Sequence, residues 1–164
     1  MAADYLLELD GIKGESKDSK HPNTIEIESF FWGAKNEPRS SAVGKGGLGG
    51  GRVEMPGIKF TSTVNKASGE LMLACWTGKP IKKAVLYVRK QGENQQDYYV
   101  VTLDDALVTE FDSSGHGSGG TSIPMDSFSL IFNKVKFEYK AQKSDGSLEP
   151  PVSVGYDLSQ RKKL

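Results

Sequence analysis

The chain has 164 residues, of which 37% are hydrophobic and 26% are charged, and its 21 Lys and Arg residues balance its 21 Asp and Glu residues. These values predict one globular domain over 1–164 and give no basic excess for binding nucleic acid or an anionic membrane. The single cysteine, Cys75, excludes an intrachain disulfide, and with two histidines a Cys/His zinc site is not expected.

The two ends of the chain carry few targeting signals. Near the start, Asp4, Glu8 and Asp10 interrupt what would be the apolar part of a signal peptide. No apolar run is long enough to span a bilayer, so membrane insertion is not expected. We therefore expect a protein that is made in the cytoplasm and does not leave by the general secretory route. At the other end, the basic residues 161–163 are interpreted as a solvated tail.

Alternation of hydrophobic and polar residues in the first third of the chain predicts β-strands. Strands are expected at 5–9 and 24–32, and the alternation of the second is lost near Ser29, where three aromatic residues follow one another. A glycine-rich connection over 33–51 precedes a further strand over 52–64. Because it is long for a compact domain, this connection is expected to be functional or mobile.

One helix is predicted, over 68–80. Ser68 is placed to cap its first turn through the side-chain hydroxyl. Gly78 can adopt the left-handed conformation that ends a helix, and Pro80 prevents continuation. Cys75 lies on the apolar stripe of this helix and is interpreted as a small core residue, not as a nucleophile.

The second half of the chain predicts the remaining strands. They are expected at 84–90, 97–111, 126–140 and 152–158, with a second glycine-rich connection at 112–120. Within 126–140 the large residues change parity near Asn133, so either a bulge resets the register or both faces are covered. The same change occurs near Ser29. Two such switches are typical of a strongly curved or closed sheet, which predicts a mainly β barrel or sandwich with one short helix on its side.

The first glycine-rich connection contains a pattern associated with nucleotide binding. Gly44, Gly46 and Gly49 spell G-x-G-x-x-G, with Lys45 beside them. A phosphate bound by this pattern needs the amides of a helix N-terminus, whereas a strand is predicted to follow here. The stretch is therefore interpreted as a mobile loop, and no cofactor is expected.

A hydrolase-like group of residues lies in the second glycine-rich connection. Asp112, Ser113, Ser114 and His116 are residue types found in catalytic triads. No G-x-S-x-G elbow accompanies them, and a glycine-rich loop holds catalytic groups poorly. We interpret them as loop residues and predict no enzyme activity.

Two further pairs have both a functional and a structural interpretation. Glu15 and Asp18 form a possible carboxylate pair, but they lie in a polar turn that is typical of solvated surface. Trp32 and Trp76 suit a sugar-binding platform, although such residues are more often core or interface anchors. The positive evidence favours a structural or binding protein.

Four motifs occur in order along the chain: G-E-S-x-D at 14–18, R-K-x-G at 89–92, E-N-Q at 93–95 and Y-x-x-Q-x-x-D-G at 139–146. With the stretches "NTIEIESFFWG" and "LMLACWTGK", they resemble the haemolysin-coregulated protein (Hcp) family from the first strand to the closing "VGYDL". This resemblance implies a closed β-barrel of two sheets with one short helix at its side and an extended glycine-rich loop. It also implies a structural tube component of the bacterial type VI secretion system, not an enzyme.

The resemblance further implies a set of partners. Six subunits form a ring, and rings stack into a tube inside a contractile sheath and beneath a spike protein. Some members hold small effector proteins in the lumen. The tube is expelled by the apparatus itself, so the protein is expected outside the cell or in a target cell. The alternative is a standalone barrel that binds a sugar or protein through Trp32, Trp76 and the loops.

The resemblance also assigns candidate site residues. The glycine-rich loop is expected to contact neighbouring subunits and to take part in ring stacking, through Gly44, Lys45, Gly46, Gly47, Leu48, Gly49, Gly50, Gly51 and Arg52. The second strand is expected to line the channel, so Ser29 and Phe31 are the candidate lumen-facing residues. Packing of Phe31 at a subunit interface is the alternative.

Overall fold

A computed structural model describes residues 3–37, 51–92, 95–118 and 123–164 of the chain. In these ranges the protein is mainly β, as predicted. The strands are β1 (Ala3–Leu9), β2 (Ile25–Glu26), β3 (Ser29–Trp32), β4 (Lys35–Glu37), β5 (Arg52–Glu54), β6 (Ile58–Thr63), β7 (Ile81–Lys90), β8 (Asp97–Ser114), β9 (Met125–Ile131), β10 (Lys134–Tyr139), β11 (Val152–Asp157) and β12 (Lys162–Lys163). One helix, α1 (Ser68–Thr77), connects β6 to β7.

The strands form two antiparallel sheets that share the long strand β8. The first sheet has the order β12-β11-β10-β8-β7-β1-β2. The second sheet consists of the C-terminal part of β8 followed by β9, β6 and β3, while β4 and β5 form a separate hairpin. Among the described residues, the pairing does not close these sheets into a continuous barrel, because β12 and β2 remain edge strands.

Alternating apolar residues of both sheets form one contiguous core. Leu86 and Val101 contribute from the first sheet, and Phe60 and Phe128 from the second, with ring centroids 5.4 Å apart. The helix adds Leu71, which is fully buried. Burial of these side chains is the main favourable term for folding, because it removes apolar surface from water.

At both predicted parity switches the chain passes from one sheet to the other, in place of the expected bulge or coverage of both faces. At the first, β2 pairs with β1 whereas β3 pairs with β6. The Ile27 N–H donates to the Tyr5 carbonyl at 2.9 Å, and the next N–H, of Glu28, donates to the Thr61 carbonyl at 2.8 Å. At the second, the single strand expected over 126–140 is two strands, since β9 belongs to the second sheet and β10 to the first.

A third crossing, within β8, is absent from the sequence-based expectation. β8 pairs with β10 as far as Asp104, with β7 as far as Ala106, and with β9 from Leu107 onwards. Asp105 lies where the partners change and has a φ of 53°. Asp is among the few residues other than Gly that tolerate this left-handed conformation. The bend at Asp105 therefore lets one strand serve both sheets.

The helix is confirmed, but one of its predicted caps is wrong. Gly78 ends the helix with a φ of 67° and donates its N–H to the Ala74 carbonyl, as expected. At the start, Ala67 occupies the cap position and makes no side-chain cap bond. The Ser68 hydroxyl donates to the buried Asp126 carboxylate at 2.5 Å, while its oxygen accepts the Asn65 N–H at 3.0 Å. Ser68 therefore stays in contact with the residues before the helix and also supplies the donor that a buried carboxylate needs.

The segment between β1 and β2 is fixed to the outer face of the first sheet by a buried arginine. Arg89 is 3% exposed, and its guanidinium pairs with the Asp18 carboxylate through Nη2. Its Nε lies 3.5 Å from Asp4 Oδ2. The hydrogen bond from Arg89 lowers the pKa of Asp18 from 3.8 to about 2. Buried charges persist only when they are paired, so this contact specifies where the segment lies.

Two further contacts hold the same segment in place. The His21 ring stacks on Tyr87 with centroids 3.9 Å apart, and its Nε2 lies 2.8 Å from Asp97 Oδ2. Gly14 approaches the backbone of Thr24 so closely that a Cβ there would lie 2.4 Å from the Thr24 carbonyl oxygen. The glycine is required because a larger residue would push the backbone away.

Replacing Asp18 by Asn tests this ion pair. We expect the free energy of unfolding to fall by about 1–2 kcal/mol at neutral pH, since the depressed pKa of Asp18 stabilises the folded state. That contribution is present above pH 4 and is lost as pH falls from about 4 to about 2, where Asp18 takes up a proton in the folded state. The difference between wild type and Asp18→Asn should therefore shrink over this pH range in urea titrations.

The control is Asp112→Asn, which removes an exposed carboxylate from β8. It should change the free energy of unfolding by less than about 0.5 kcal/mol. Equal effects of both substitutions would show that the Arg89 contact does not stabilise the fold.

Candidate functional site

The glycine-rich connection joins the two strands of the hairpin. Lys35 pairs with Glu54 and Glu37 with Arg52, so a strand and not a helix follows the glycines, as predicted. Gly51 donates its N–H to Asn36 Oδ1 at 2.8 Å, and Arg52 is exposed. The other candidate loop residues lie outside the described residues: Gly44, Lys45, Gly46, Gly47, Leu48, Gly49 and Gly50.

Ser29 and Phe31 lie on the face of the second sheet that points away from the core. Phe31 is 73% exposed, whereas its neighbours Phe30 and Trp32 are half-buried and pack against the core. Ser29 lies opposite Thr61, with the two hydroxyl oxygens 2.5 Å apart. The structure thus brings both candidate residues to one solvent-exposed surface.

Small polar side chains from neighbouring strands continue this surface. One row runs from Ser29 and Thr61 to Ser127 on β9 and Asp112 on β8. The next row begins at Phe31. Its other members, in order across the sheet, are Lys59, Ser129 and Glu110. We call these two rows the polar face; Phe31 is its one aromatic member.

A second exposed surface is apolar and lies at the edge of the first sheet. A cleft of about 450 Å³ separates the hairpin from β10 and β11, and Trp32, Phe137 and Val154 are among its lining residues. Val154, at the cleft, is 58% exposed, and Val152, beyond it, is 68% exposed. They lie opposite Phe137 and Tyr139, on the side of the sheet that elsewhere forms the core. We call Val152, Val154 and Tyr139 the apolar edge.

The backbone of this edge is also partly free. β11 pairs with β12 at Tyr156 and Asp157, and the Leu164 N–H donates to the Gly155 carbonyl at 3.0 Å. Within the described ranges, no strand pairs with the outer side of Val152–Val154. The basic residues 161–163 were expected in a solvated tail; Lys162 and Lys163 instead form β12. An edge strand with free backbone groups is a template for pairing with another chain.

A family model described as "Type VI secretion system effector, Hcp" matches residues 6–139. The chain belongs to the Hcp family. It is 36% identical over 162 residues to Protein hcp1 of Pseudomonas aeruginosa, with 98% of each sequence covered. The predicted family is therefore confirmed.

Two solved structures are similar to this chain over its full length. One, of a type six secretion system protein, has a TM-score of 0.91 at 27% identity and covers 99% of this chain and 100% of that chain. The other, Hcp1 from Salmonella typhimurium, has a TM-score of 0.78 at 31% identity and covers 100% of both chains. The Hcp fold is thus shared across the whole chain, not through one motif.

The motifs that carried the Hcp resemblance now have a structural explanation. Gly14 and Asp18 belong to the first motif, and Arg89 begins the second. These residues form the buried contact that holds the segment between β1 and β2 on the first sheet. Their contacts are structural, since they hold this segment in place.

The hydrolase-like residues are divided between the two faces of β8 and the segment that follows it. β8 extends to Ser114, so the loop expected from residue 112 begins later than predicted. Asp112 and Ser114 lie on one face of this strand and Ser113 on the other. His116 follows beyond the strand end. In the part of this Hcp chain that the structure describes, no group of three or more His, Cys, Asp or Glu side chains is placed to hold a metal ion.

The other two candidate pairs are separated by their partners. Glu15 Oε1 accepts the Lys66 N–H at 2.7 Å, so it does not share a site with Asp18. Trp32 donates its indole N–H to the Tyr99 hydroxyl at 2.9 Å, while Trp76 is exposed on α1. Across the four described ranges, no helix is long and apolar enough to cross a membrane.

Alanine substitutions test whether Phe31 is free of the core. Phe31→Ala should leave the free energy of unfolding within about 0.5 kcal/mol of wild type, because the side chain is already solvated. Phe60→Ala, the matched control on β6, should cost about 3–5 kcal/mol, since Phe60 is fully buried. Urea denaturation measures both, and a large loss for Phe31→Ala would mean that Phe31 packs within the subunit.

Proposed function

We propose that this protein is the tube subunit of a type VI secretion system, which assembles into hexameric rings that stack into the expelled inner tube. The observation that carries the proposal is the apolar edge of the first sheet. It exposes core-type side chains beside free backbone groups, and this combination is stabilised when a partner covers it. Membership of the Hcp family supports a second copy of the subunit as that partner.

The position of the free edges supports the proposed ring. β11 exposes one edge of the first sheet, and β3 exposes one edge of the second. Two different edges favour a head-to-tail contact, which repeats around a ring when its rotation closes. The number six comes from the Hcp family and not from the chain itself. Within each ring, we propose that the two sheets and the hairpin complete the barrel-like wall implied by the family.

The polar face is the proposed lumen surface. Ser29, Thr61 and Ser127 offer hydroxyls and little apolar area, so a protein can pass without adhering strongly. Phe31 is the exception and offers an apolar contact to a small effector protein. Expulsion of the tube would carry both the effector and the subunit out of the cell.

The hairpin is the proposed contact between rings. Its glycines, Gly44 to Gly50, permit backbone conformations that let a long connection follow a neighbouring subunit. Lys45 and Arg52 are the proposed polar contacts of this loop. The remaining partners, the spike protein at the tip and the contractile sheath outside, are proposed from family membership alone.

Val154→Lys tests the apolar edge. A charge at this position should abolish rings while leaving the subunit folded, because Val154 is exposed in the subunit and would be buried between subunits. Ser153→Lys is the matched control: it adds the same charge one residue away, on the opposite face of β11, beside Glu138. Native mass spectrometry at micromolar concentration should show rings for wild type and Ser153→Lys, and monomers for Val154→Lys.

A wild-type protein that remains monomeric would contradict the proposed function. If that monomer also showed a ligand-dependent rise in melting temperature, a standalone binding module would be the better interpretation.

Deleting Gly46–Gly50 tests the hairpin separately. The subunit should remain folded, because a surface loop contributes little to the core. Ring stacking should weaken, so negative-stain images should show rings but few tubes under conditions where wild type forms tubes. Wild-type tube yield after the deletion would exclude this loop from ring stacking.

A further inference from the structure

The first sheet carries a row of alternating charges that runs across it from the end of β1 to β12. Each member lies opposite the next in the strand register, and the sign changes at every step. In order from β1 to β12, the members are Asp10, Lys83, Asp104, Lys134, Asp157 and Lys162. Directly opposed cross-strand side chains of opposite charge attract one another. We call this set the charge row.

The register of the row is supported at its two ends. At the acidic end, the Asp10 N–H donates to the Lys83 carbonyl at 3.0 Å, which continues the β1–β7 pairing one residue past Leu9. At the basic end, Lys162 pairs with Asp157. The pKa of Asp157 is lowered by hydrogen bonds from the Gln160 N–H and the Ser159 hydroxyl, and by the charge of Lys134. Asp157 is therefore negatively charged at neutral pH.

The two ends of the row are exposed and opposite in charge. Asp10 and Lys162 are both solvent-exposed. Among the residues that the structure describes, no member of the row lies within 4.0 Å of an opposite charge, so the row is a pattern of strand register and not a chain of salt bridges. By register, every charge inside the row has an opposite charge on both sides. Each end therefore has an opposite charge on one side only. The open side of Asp10 would accept a positive charge, which Lys162 offers, and the open side of Lys162 would accept a negative charge, which Asp10 offers.

We propose that Lys162 of one subunit pairs with Asp10 of the next, so that the charge row continues from copy to copy. This inference rests on the proposed ring, and adds the side chains that set the order of its subunits. A head-to-tail contact brings opposite charges together. A head-to-head contact instead brings Lys162 beside Lys162, or Asp10 beside Asp10, and is disfavoured by repulsion. The partner that fits this surface is a second copy of the chain.

A charge swap tests the contact. Asp10→Lys and Lys162→Glu each place like charges together at every contact between copies. Each should raise the concentration for half-assembly about tenfold at low salt, and less at high salt, where screening shortens the range of the interaction. The double variant, Asp10→Lys with Lys162→Glu, restores opposite charges between copies and should assemble near the wild-type concentration. Sedimentation velocity across a salt series measures all four proteins.

The double variant separates contacts between copies from contacts within one subunit. Within a subunit it combines both repulsions, of residue 10 with Lys83 and of residue 162 with Asp157. Recovery of assembly can therefore come only from the contact between copies. Lys163→Glu is the matched control, because Lys163 lies opposite Tyr156 on the other face of β12, and it should assemble as wild type does.

Each outcome distinguishes the pairing from the ring itself. The pairing is supported if wild type forms rings, both single variants assemble weakly and the double variant assembles near the wild-type concentration. If wild type forms rings but the double variant assembles no better than either single variant, the pairing is overturned and the proposed function still stands. Failure of wild type to form rings overturns both.

Discussion

The ion pair between the buried Arg89 guanidinium and the Asp18 carboxylate fixes one face of the first sheet. It holds the segment between β1 and β2 over the outer face at β1 and β7, and the stacking of His21 on Tyr87 covers the same area. This part of the outer face is therefore covered within the subunit. The apolar edge lies on the opposite, core-side face at β10 and β11, where Val152 and Val154 stay exposed.

The three crossings between sheets give the subunit its two different surfaces. Because the chain changes sheets near Ser29, near Asn133 and at Asp105, each crossing directs the following residues to a new face. The polar face on the second sheet and the apolar edge on the first are consequences of these changes. Polar residues on one surface and apolar residues on the other fit a subunit that contacts its own copies on one side and solvent or cargo on the other.

The sequence predicted features that depend on local pattern and missed those that depend on distant partners. Alternation and parity located most strands and two of the crossings, and Gly78 located the helix end. The crossing at Asp105 also changes the parity of the buried residues, from Val101 and Leu103 to Ala106 and Val108, but the apolar Leu107 beside them obscures this change in the sequence. The role of Ser68 depends on Asp126, 58 residues away, and β12 forms because β11 offers an edge. For the candidate site, the resemblance to the Hcp family grouped Ser29 with Phe31, whereas the apolar edge depends on where β11 lies in the sheet.

The continuity of β8 bears on mechanical strength. Its 18 residues belong to both sheets, inside the first and at one edge of the second, so a load on either sheet reaches the other along one covalent backbone. The hydrogen bonds to β7, β9 and β10 lie roughly perpendicular to that backbone. A pull along the strand would therefore load these bonds together in shear, instead of opening them one at a time. In the proposed tube, which is expelled under force, this arrangement would help each subunit to resist unfolding.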